Sequence, residues 1–237
     1  MSPKPLDPEV RTGLIEAAAR LLAEDGPGAL TTRRLAAEVG TSTMAVYTYF
    51  KGMDELRHAV RLEGFDRLAA FLEDVPVGDD PLAELVDLGG AYFTNAITNP
   101  HLYRFMFMEK PIDDDPEVGI GTFERLVAGV DRAVKAKVLD PGDPWDLAQQ
   151  LWASTHGVVT LYLAGLFTLE EALSSYQRMG FFLLVGMGVD PEALVASVAD
   201  TRRRFADIPA WGGIDVPPVA SVHKRRNQVA QPTRARG

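Results

Sequence analysis

The stretch Thr31–Lys51, TTRRLAAEVGTSTMAVYTYFK, decides the fold of this chain. Apolar residues at helical spacing mark a first helix, which Gly40 ends. Ser42 or Thr43 caps a second helix that runs to about Tyr49. Two short helices joined by a tight turn form a helix-turn-helix, which places its second helix in the major groove of DNA. The stretch therefore predicts a DNA-binding unit, although a small three-helix unit in any helical protein can imitate one.

The side chains of the second helix suit contacts with bases. They are short hydroxyls, one apolar tip and amphipathic rings, and no carboxylate interrupts them: Ser42, Thr43, Met44, Tyr47 and Tyr49. Tyr47 and Phe50 could instead be core residues, and Phe50 is predicted to be one. In front of the motif, Asp7-Pro8 starts a longer helix that ends at Gly26 and should bury its apolar face against the other two.

This arrangement resembles the DNA-binding domain of the tetracycline-repressor (TetR) family. The similar positions follow a longer first helix and are Leu35-Ala36, Gly40, Ser42, Ala45-Val46-Tyr47, Phe50 and Leu56. Two positions depart from the family pattern. Met44 stands where the family usually has Gly, and Met53 stands where it usually has a phosphate-contacting Lys, so that Lys51 is the nearest substitute.

The resemblance implies that some of the candidate DNA-binding residues contact bases and others contact the DNA backbone. Ser42, Thr43 and Met44 are expected to face base edges, with Met44 against a thymine methyl group. Tyr47 and Tyr49 should reach bases or the backbone. Five residues are expected to contact phosphates: Thr31, Thr32, Arg33, Arg34 and Lys51. The two arginines could instead contact the minor groove.

Composition agrees with a globular protein. The chain has 237 residues, 46% of them hydrophobic, no cysteine and a net charge of −9. The acidic excess lies mainly outside the helix-turn-helix, which contains three basic residues and one acidic residue. Because no window approaches the roughly 18 continuous apolar residues of a membrane helix, and no signal sequence is visible, we expect a cytoplasmic protein without a membrane span.

Every long segment has helical periodicity, so the predicted fold is all-α. An N-terminal helix-turn-helix domain should occupy residues 8–72, and a connector helix should join it to a larger helical bundle at 80–206. Residues 208–237 are rich in proline, glycine and basic side chains, and we predict a disordered tail. The alternative for this tail is an electrostatic arm that touches DNA.

The segment Trp152-x-x-x-His156-Gly157 resembles a signature of one class of TetR-family C-terminal domains. That resemblance implies an all-α bundle that binds a small effector and forms a homodimer through its last two long helices, expected at 144–167 and 169–187. The candidate effector-binding residues, any of which could instead be core, are Phe93, Phe105, Phe123, Trp152, Thr155 and His156.

An enzyme is the less favoured interpretation. Glu55-x-x-His58 matches half of a di-iron motif, but no second copy exists, and neither a phosphate-binding loop nor a cysteine nucleophile is present. No metal or cofactor is therefore expected. The resulting hypothesis is a homodimeric, ligand-responsive repressor with a near-palindromic operator and a small hydrophobic effector. The alternatives are a constitutive or protein-partnered regulator, and a helical binding protein that has lost its DNA role.

Overall fold

The computed structural model describes residues 7–108 and 118–204, which form ten α-helices, one 3-10 turn at Pro27–Ala29 and no strand. This confirms the all-α prediction. The predicted disordered tail lies outside the described residues. The helices are α1 Pro8–Asp25, α2 Thr32–Val39, α3 Thr43–Tyr49, α4 Met53–Glu73, α5 Pro81–Thr98, α6 Pro100–Met108, α7 Ile120–Lys135, α8 Pro144–Leu163, α9 Leu169–Gly186 and α10 Pro191–Arg204.

Asp-Pro pairs begin four of the helices, including α1, for which the sequence predicts this start. The carboxylate of Asp7 accepts a hydrogen bond from the backbone N–H of Glu9 over 3.0 Å at the start of α1. Asp80, Asp143 and Asp190 cap α5, α8 and α10 in the same way. An Asp side chain satisfies orphan N–H groups, and the following proline fits the first helical turn without needing a donor.

Helix α8 is shorter than predicted, because it ends at Leu163 and not at Phe167. Gly165 adopts the left-handed conformation with φ of 73°. Its N–H donates to the carbonyl of Tyr162, and the N–H of Leu166 donates to that of Leu161. This is the Schellman pattern, which closes a helix, and it corrects the prediction of a helix over 144–167. A capping box starts α9, in which the Thr168 side chain accepts from the N–H of Glu171 and the Glu171 side chain accepts from the N–H of Thr168.

The described chain divides into two compact units. The first contains the described parts of residues 1–74 and 94–124. Its core is formed by apolar side chains of α1 to α4, together with Leu102 and Phe105 from α6. Because α6 contributes to the core behind the helix-turn-helix, the first unit extends beyond residue 72, the predicted end of the N-terminal domain. The assignment of DNA binding to residues 8–72, and of effector binding and dimerisation to residues 80–206, stays a prediction.

The second unit contains residues 75–93 and the described part of 125–237. Helix α8 packs against α9, and α9 contacts α10. A buried carboxylate, Glu84, accepts hydrogen bonds from Arg125 and Arg132. Asp87 accepts another from the Thr201 hydroxyl over 2.5 Å, which ties α5 to α10. Charged and polar groups buried in this way need such partners to offset their desolvation.

No helix in residues 7–108 and 118–204 is long and apolar enough to cross a membrane.

Candidate functional site

The turn between α2 and α3 has the geometry that the glycine predicts. Gly40 has φ of 68° and ψ of 32°, which is the left-handed region. Its N–H donates to the Ala37 carbonyl over 3.3 Å, and the N–H of Thr41 donates to the Ala36 carbonyl over 2.8 Å. These two bonds close α2 in a Schellman motif and redirect the chain into α3. The angle between the two helices therefore depends on this residue.

Helix α3 is held from behind and capped at its start. The Ser42 side chain accepts a hydrogen bond from the backbone N–H of Ala45 over 3.1 Å, so Ser42 is the N-cap. Val46 and Phe50 are each 2% exposed and belong to the core of the first unit. The prediction that Phe50 is a core residue is thus confirmed. These anchors fix the rotation of α3 about its own axis.

The opposite face of α3 is open. Met44 is 72% exposed and Tyr47 is 54% exposed, and Thr43 is also exposed. Tyr47 is therefore not a core residue, which removes that alternative. The three side chains follow one helical face, because residues separated by three or four positions are neighbours on a helix. This is the surface that a recognition helix presents to base edges.

The residues predicted to contact phosphates differ in their exposure and in the hydrogen bonds and ion pairs that they already make. Thr31 is the N-cap of α2, and its hydroxyl accepts from the N–H of Arg34 over 3.2 Å. Thr32 is half-buried, while Arg33 and Lys51 are exposed. The guanidinium of Arg34 lies 2.5 Å from the carboxylate of Asp25. Because a guanidinium has five N–H donors, Arg34 can keep this ion pair and still offer a donor to a phosphate, and breaking an exposed pair would cost little.

The only carboxylate within the motif, Glu38, does not act as an unpaired negative charge. Its oxygen lies 2.5 Å from the guanidinium of Arg20 on α1. Hydrogen bonding to Glu38 raises the pKa of Arg20 above its usual value, so the arginine remains charged. The pair offsets an acidic charge that would otherwise repel phosphates close to the candidate interface.

Tyr49 occupies a different environment from Tyr47. It is half-buried against the core, and its hydroxyl accepts a hydrogen bond from the backbone N–H of Asp7 over 2.9 Å. The ring therefore packs between the end of α3 and the start of α1, away from the base-reading face. A phenolic oxygen that accepts one bond still has its own O–H to donate. The contact of Tyr49 with bases or with the DNA backbone stays a prediction.

The departure at Met53 also has a structural explanation. Met53 is half-buried and packs against the core of the first unit at the first residue of α4. Lys51, two residues earlier, is exposed, and its backbone N–H donates to the Glu55 side chain over 3.1 Å. Lys51 is thus the basic side chain nearest in sequence to the start of α4 that reaches solvent there.

Sequence reasoning overlooked Thr48. This residue is exposed, and its hydroxyl donates to the carbonyl of Met44 over 2.8 Å. Since Thr48 follows Met44 by four residues, the two side chains are neighbours on α3. The signal was present in the sequence as helical spacing, but it does not show where a hydroxyl points.

The six candidate effector residues are divided between the two units. Phe105 is a core residue of the first unit, where it packs with the apolar side chains of α1 to α4. Burial in this core fits the alternative that Phe105 is a core residue, and its role as an effector contact stays a prediction. Phe123 is half-buried in the same unit. The other four belong to the second unit: Phe93, Trp152, Thr155 and His156.

In the second unit, an aromatic cluster joins α5 and α8. The indole N–H of Trp152 donates to the Tyr92 hydroxyl over 3.1 Å, and that hydroxyl lies 3.2 Å from Nδ1 of His156. Burial lowers the pKa of His156 below its usual value, which favours the neutral ring. Phe93 is fully buried against Tyr176, and the Thr155 hydroxyl donates to the Leu151 carbonyl. No three His, Asp or Glu side chains of the described residues are grouped to hold a metal ion.

Comparison with known proteins finds two families that match separate parts of the chain. Residues 14–60 match the family described as bacterial regulatory proteins, tetR family. Residues 85–180 match the family described as tetracyclin repressor-like, C-terminal domain. The two matches cover the helix-turn-helix and most of the second bundle. The chain belongs to the TetR family of transcriptional regulators.

Individual relatives of this TetR-family chain agree with that assignment. An uncharacterized HTH-type transcriptional regulator of Mycobacterium tuberculosis is 28% identical over 178 residues, which are 75% of this chain and 81% of the relative. A solved protein of unknown function from Rhodococcus sp. RHA1 is 26% identical with a TM-score of 0.65, covering 79% of this chain and 99% of that one. A gamma-butyrolactone receptor, ArpA-like, has the same fold at 20% identity, with a TM-score of 0.65 and coverage of 83% and 96%.

Proposed function

We propose that this TetR-family regulator is a homodimeric repressor that binds a near-palindromic operator and is released by a small hydrophobic effector. The TetR family comprises transcriptional regulators that bind DNA through a helix-turn-helix, and we infer no catalytic activity for this chain. A regulator of this kind acts where the DNA is, in the cytoplasm.

The observation that carries the proposal is the two-sided character of α3. Val46 and Phe50 fasten the helix to the core, while Met44 and Tyr47 extend into solvent beside Thr43. Binding of this face in a groove costs no backbone entropy, because the helix is already formed, and the cost that remains is the lost rotamer freedom of the exposed side chains. Arg33 and Lys51 flank this face and can neutralise phosphates.

Homodimerisation is supported by apolar side chains left exposed in the second unit. Large hydrophobic residues in and between α8 and α9 are 37% to 69% exposed: Trp145, Leu161, Leu166, Met179 and Phe182. Gly157 and Gly186 have no side chain within 4 Å of where a Cβ atom would lie, so another backbone can approach there. Apolar surface of this kind marks an interface. We infer that a second copy covers it and sets two α3 helices one DNA turn apart, roughly 34 Å.

The effector class follows from the aromatic cluster of Tyr92, Trp152 and His156. Rings with a few hydrogen-bonding atoms suit a mostly apolar ligand, and a neutral histidine adds no charge. The gamma-butyrolactone receptor, which shares the fold, supports a small organic effector here. The Trp-x-x-x-His-Gly subclass of the second domain stays part of this proposal. Candidate contacts in the second unit are Phe93, Trp152, Thr155 and His156.

The experiment is equilibrium binding of the purified protein to the DNA upstream of its own gene, across a salt series and with pools of hydrophobic compounds. Tight binding that weakens with salt and is abolished by one pool supports the proposal. Tight binding that no pool disturbs favours a constitutive or protein-partnered regulator. No binding at low salt contradicts the DNA-binding role. Sedimentation at the same concentrations tests the dimer.

A further inference from the structure

We propose that Arg11, in the first turn of α1, contacts a backbone phosphate of the operator at the edge of each half-site. The inference rests on the proposed function, because it assumes that α3 enters the major groove. It goes beyond that function by assigning a positioning contact with DNA to a residue outside the helix-turn-helix. Its central observation is the contact between the guanidinium of Arg11 and the ring of Phe50.

Phe50 holds Arg11 at the end of α3. The central carbon of the Arg11 guanidinium lies over the Phe50 ring, 5.7 Å from its centroid. Phe50 is the C-cap of α3 and, at 2% exposed, belongs to the core of the first unit. An aromatic face attracts a cation, and a guanidinium held there keeps N–H donors that another acceptor can reach. The side chain is therefore positioned before any DNA binds.

A second contact fixes the start of α1 against the same end of α3. The hydroxyl of Tyr49, the residue before Phe50, accepts a hydrogen bond from the backbone N–H of Asp7 over 2.9 Å. Asp7 precedes Arg11 by about one helical turn. A recognition helix meets base edges with its first residues, so a side chain fixed beside its last residues lies at the edge of the groove. This position favours a phosphate over a base as the partner of Arg11.

The charge of Arg11 is available to a partner outside the protein. The residue is exposed, and no carboxylate of residues 7–108 and 118–204 forms an ion pair with it. Arg20 and Arg34, by contrast, are paired with Glu38 and Asp25. A guanidinium without a carboxylate partner can donate to a phosphate oxygen with no ion pair to rearrange, and such charge-assisted hydrogen bonds are strong.

The segment that follows α3 has little positive charge of its own. Residues 50–55, FKGMDE, contain one basic side chain, Lys51, and two acidic ones, Asp54 and Glu55. Basic side chains that neutralise phosphates supply much of the affinity for DNA, so a second cation beside this segment should strengthen binding. Arg11 supplies that cation through its contact with Phe50, the residue before Lys51.

The test is the salt dependence of DNA binding by the full-length protein. A duplex is first selected from a random pool with the native protein. Arg11→Gln removes the charge, and Arg11→Lys keeps it. Lys137→Gln is the matched control, because it removes the same charge from an exposed position of the second unit. Fluorescence anisotropy measures binding to the selected duplex and to a scrambled one, and circular dichroism confirms that each variant is folded.

Each phosphate contact releases condensed counterions, so Arg11→Gln should make the slope of log affinity against log salt less negative by about 0.9 per half-site. When salt rises from roughly 50 to 200 mM, the native protein should lose about tenfold more affinity for a duplex with two half-sites than Arg11→Gln loses. Arg11→Gln should weaken binding to the selected and scrambled duplexes equally, because phosphates occur in every sequence. Arg11→Lys and Lys137→Gln should keep the native slope.

A native slope for Arg11→Gln, on a duplex that the native protein binds tightly, overturns this inference alone. A change in Lys137→Gln as large as that in Arg11→Gln also overturns it, because net charge would then explain the effect. Weaker binding of Arg11→Gln to the selected duplex only would assign Arg11 to a base and contradict the phosphate contact. A selection that enriches no sequence overturns both the inference and the proposed function.

Discussion

The hydroxyl of Tyr49 accepts a hydrogen bond from the backbone N–H of Asp7 over 2.9 Å, joining the last residue of α3 to the N-cap of α1. The two residues are 42 positions apart in the chain. The contact ties the recognition helix to the first helix at the end opposite the glycine turn. The orientation of α3 is thus fixed at both ends.

The Tyr49→Phe substitution tests this contact. Loss of the hydroxyl should lower the free energy of unfolding by about 1 kcal/mol, the usual net contribution of a hydrogen bond. Tyr47→Phe is the matched control, because the exposed ring of Tyr47 should change stability by about 0.5 kcal/mol or less. Urea denaturation measures both variants. Equal stability of the two would show that the Tyr49 contact contributes nothing.

Gly40 and Gly52 make a second matched pair. A Cβ atom would meet nothing within 4 Å at either position, but Gly40 has a left-handed φ of 68° and Gly52 an extended φ of 179°. Gly40→Ala should therefore cost about 1 to 2 kcal/mol of stability from backbone strain alone. Gly52→Ala should change stability little, because lower unfolded-state entropy opposes the N-cap preference for glycine over alanine. Thermal unfolding distinguishes the two, and an unaffected Gly40→Ala would contradict the turn geometry.

The buried Glu84 gives a pH prediction. Burial alone would raise its pKa, but the hydrogen bonds from Arg132 and Arg125 outweigh it and hold the pKa below the ordinary value of 4.5. The folded protein therefore binds this proton less tightly than the unfolded chain does. The stability contributed by Glu84 is complete above pH 4.5 and is lost as the pH falls from there through the folded-state pKa.

Glu84→Gln should reduce stability at pH 7 by about 3 kcal/mol, because two arginines lose their carboxylate. It should also flatten the fall in stability below pH 4.5. Asp131→Asn is the control, since Asp131 pairs with Lys135 at an exposed position. Urea titrations at several pH values measure both variants. A Glu84→Gln variant as stable as the control would refute the role of this ion pair in the second unit.

Phe182 tests the proposed homodimer. The side chain is 44% exposed on α9, so an aspartate there should not unfold a monomer but should disrupt an apolar interface. We expect Phe182→Asp to sediment as a monomer and to bind a two-half-site duplex far more weakly than the native protein. Val77→Asp, at a position 63% exposed outside the helices, should remain a dimer. A dimeric Phe182→Asp protein would place the interface elsewhere.

Local sequence signals predicted the elements of this fold well. The Asp7-Pro8 pair and Gly40 act within a few residues of the chain, so the start of α1 and the turn of the motif followed from them. The position of Phe105 did not, because an aromatic residue at helical spacing fits a core and a ligand site equally well. Its inclusion in the core of the first unit depends on tertiary contacts between distant segments.

For the candidate site too, the sequence predicted which residues lie on α3 but not which tertiary contacts their side chains make. Side-chain types on the second helix of the motif pointed to Ser42, Thr43, Met44, Tyr47 and Tyr49 as DNA contacts. In the structure, Thr43, Met44 and Tyr47 are exposed on one face of α3. Spacing could not separate Tyr47 from Tyr49, which differ in the partners that surround them. It also could not reveal the Arg34–Asp25 pair, since the two side chains meet only after α1 and α2 have packed.

The most direct test of the account compares Thr43→Ala/Tyr47→Ala with the native protein on a duplex selected from random DNA. Fluorescence anisotropy at fixed salt measures specific binding, and competition with a scrambled duplex measures non-specific binding. The exposed positions of both residues predict unchanged folding, with specific affinity lower by roughly 30-fold or more and non-specific affinity nearly unchanged. Full affinity and full specificity in the folded double variant would contradict the assignment of α3 as the reading helix.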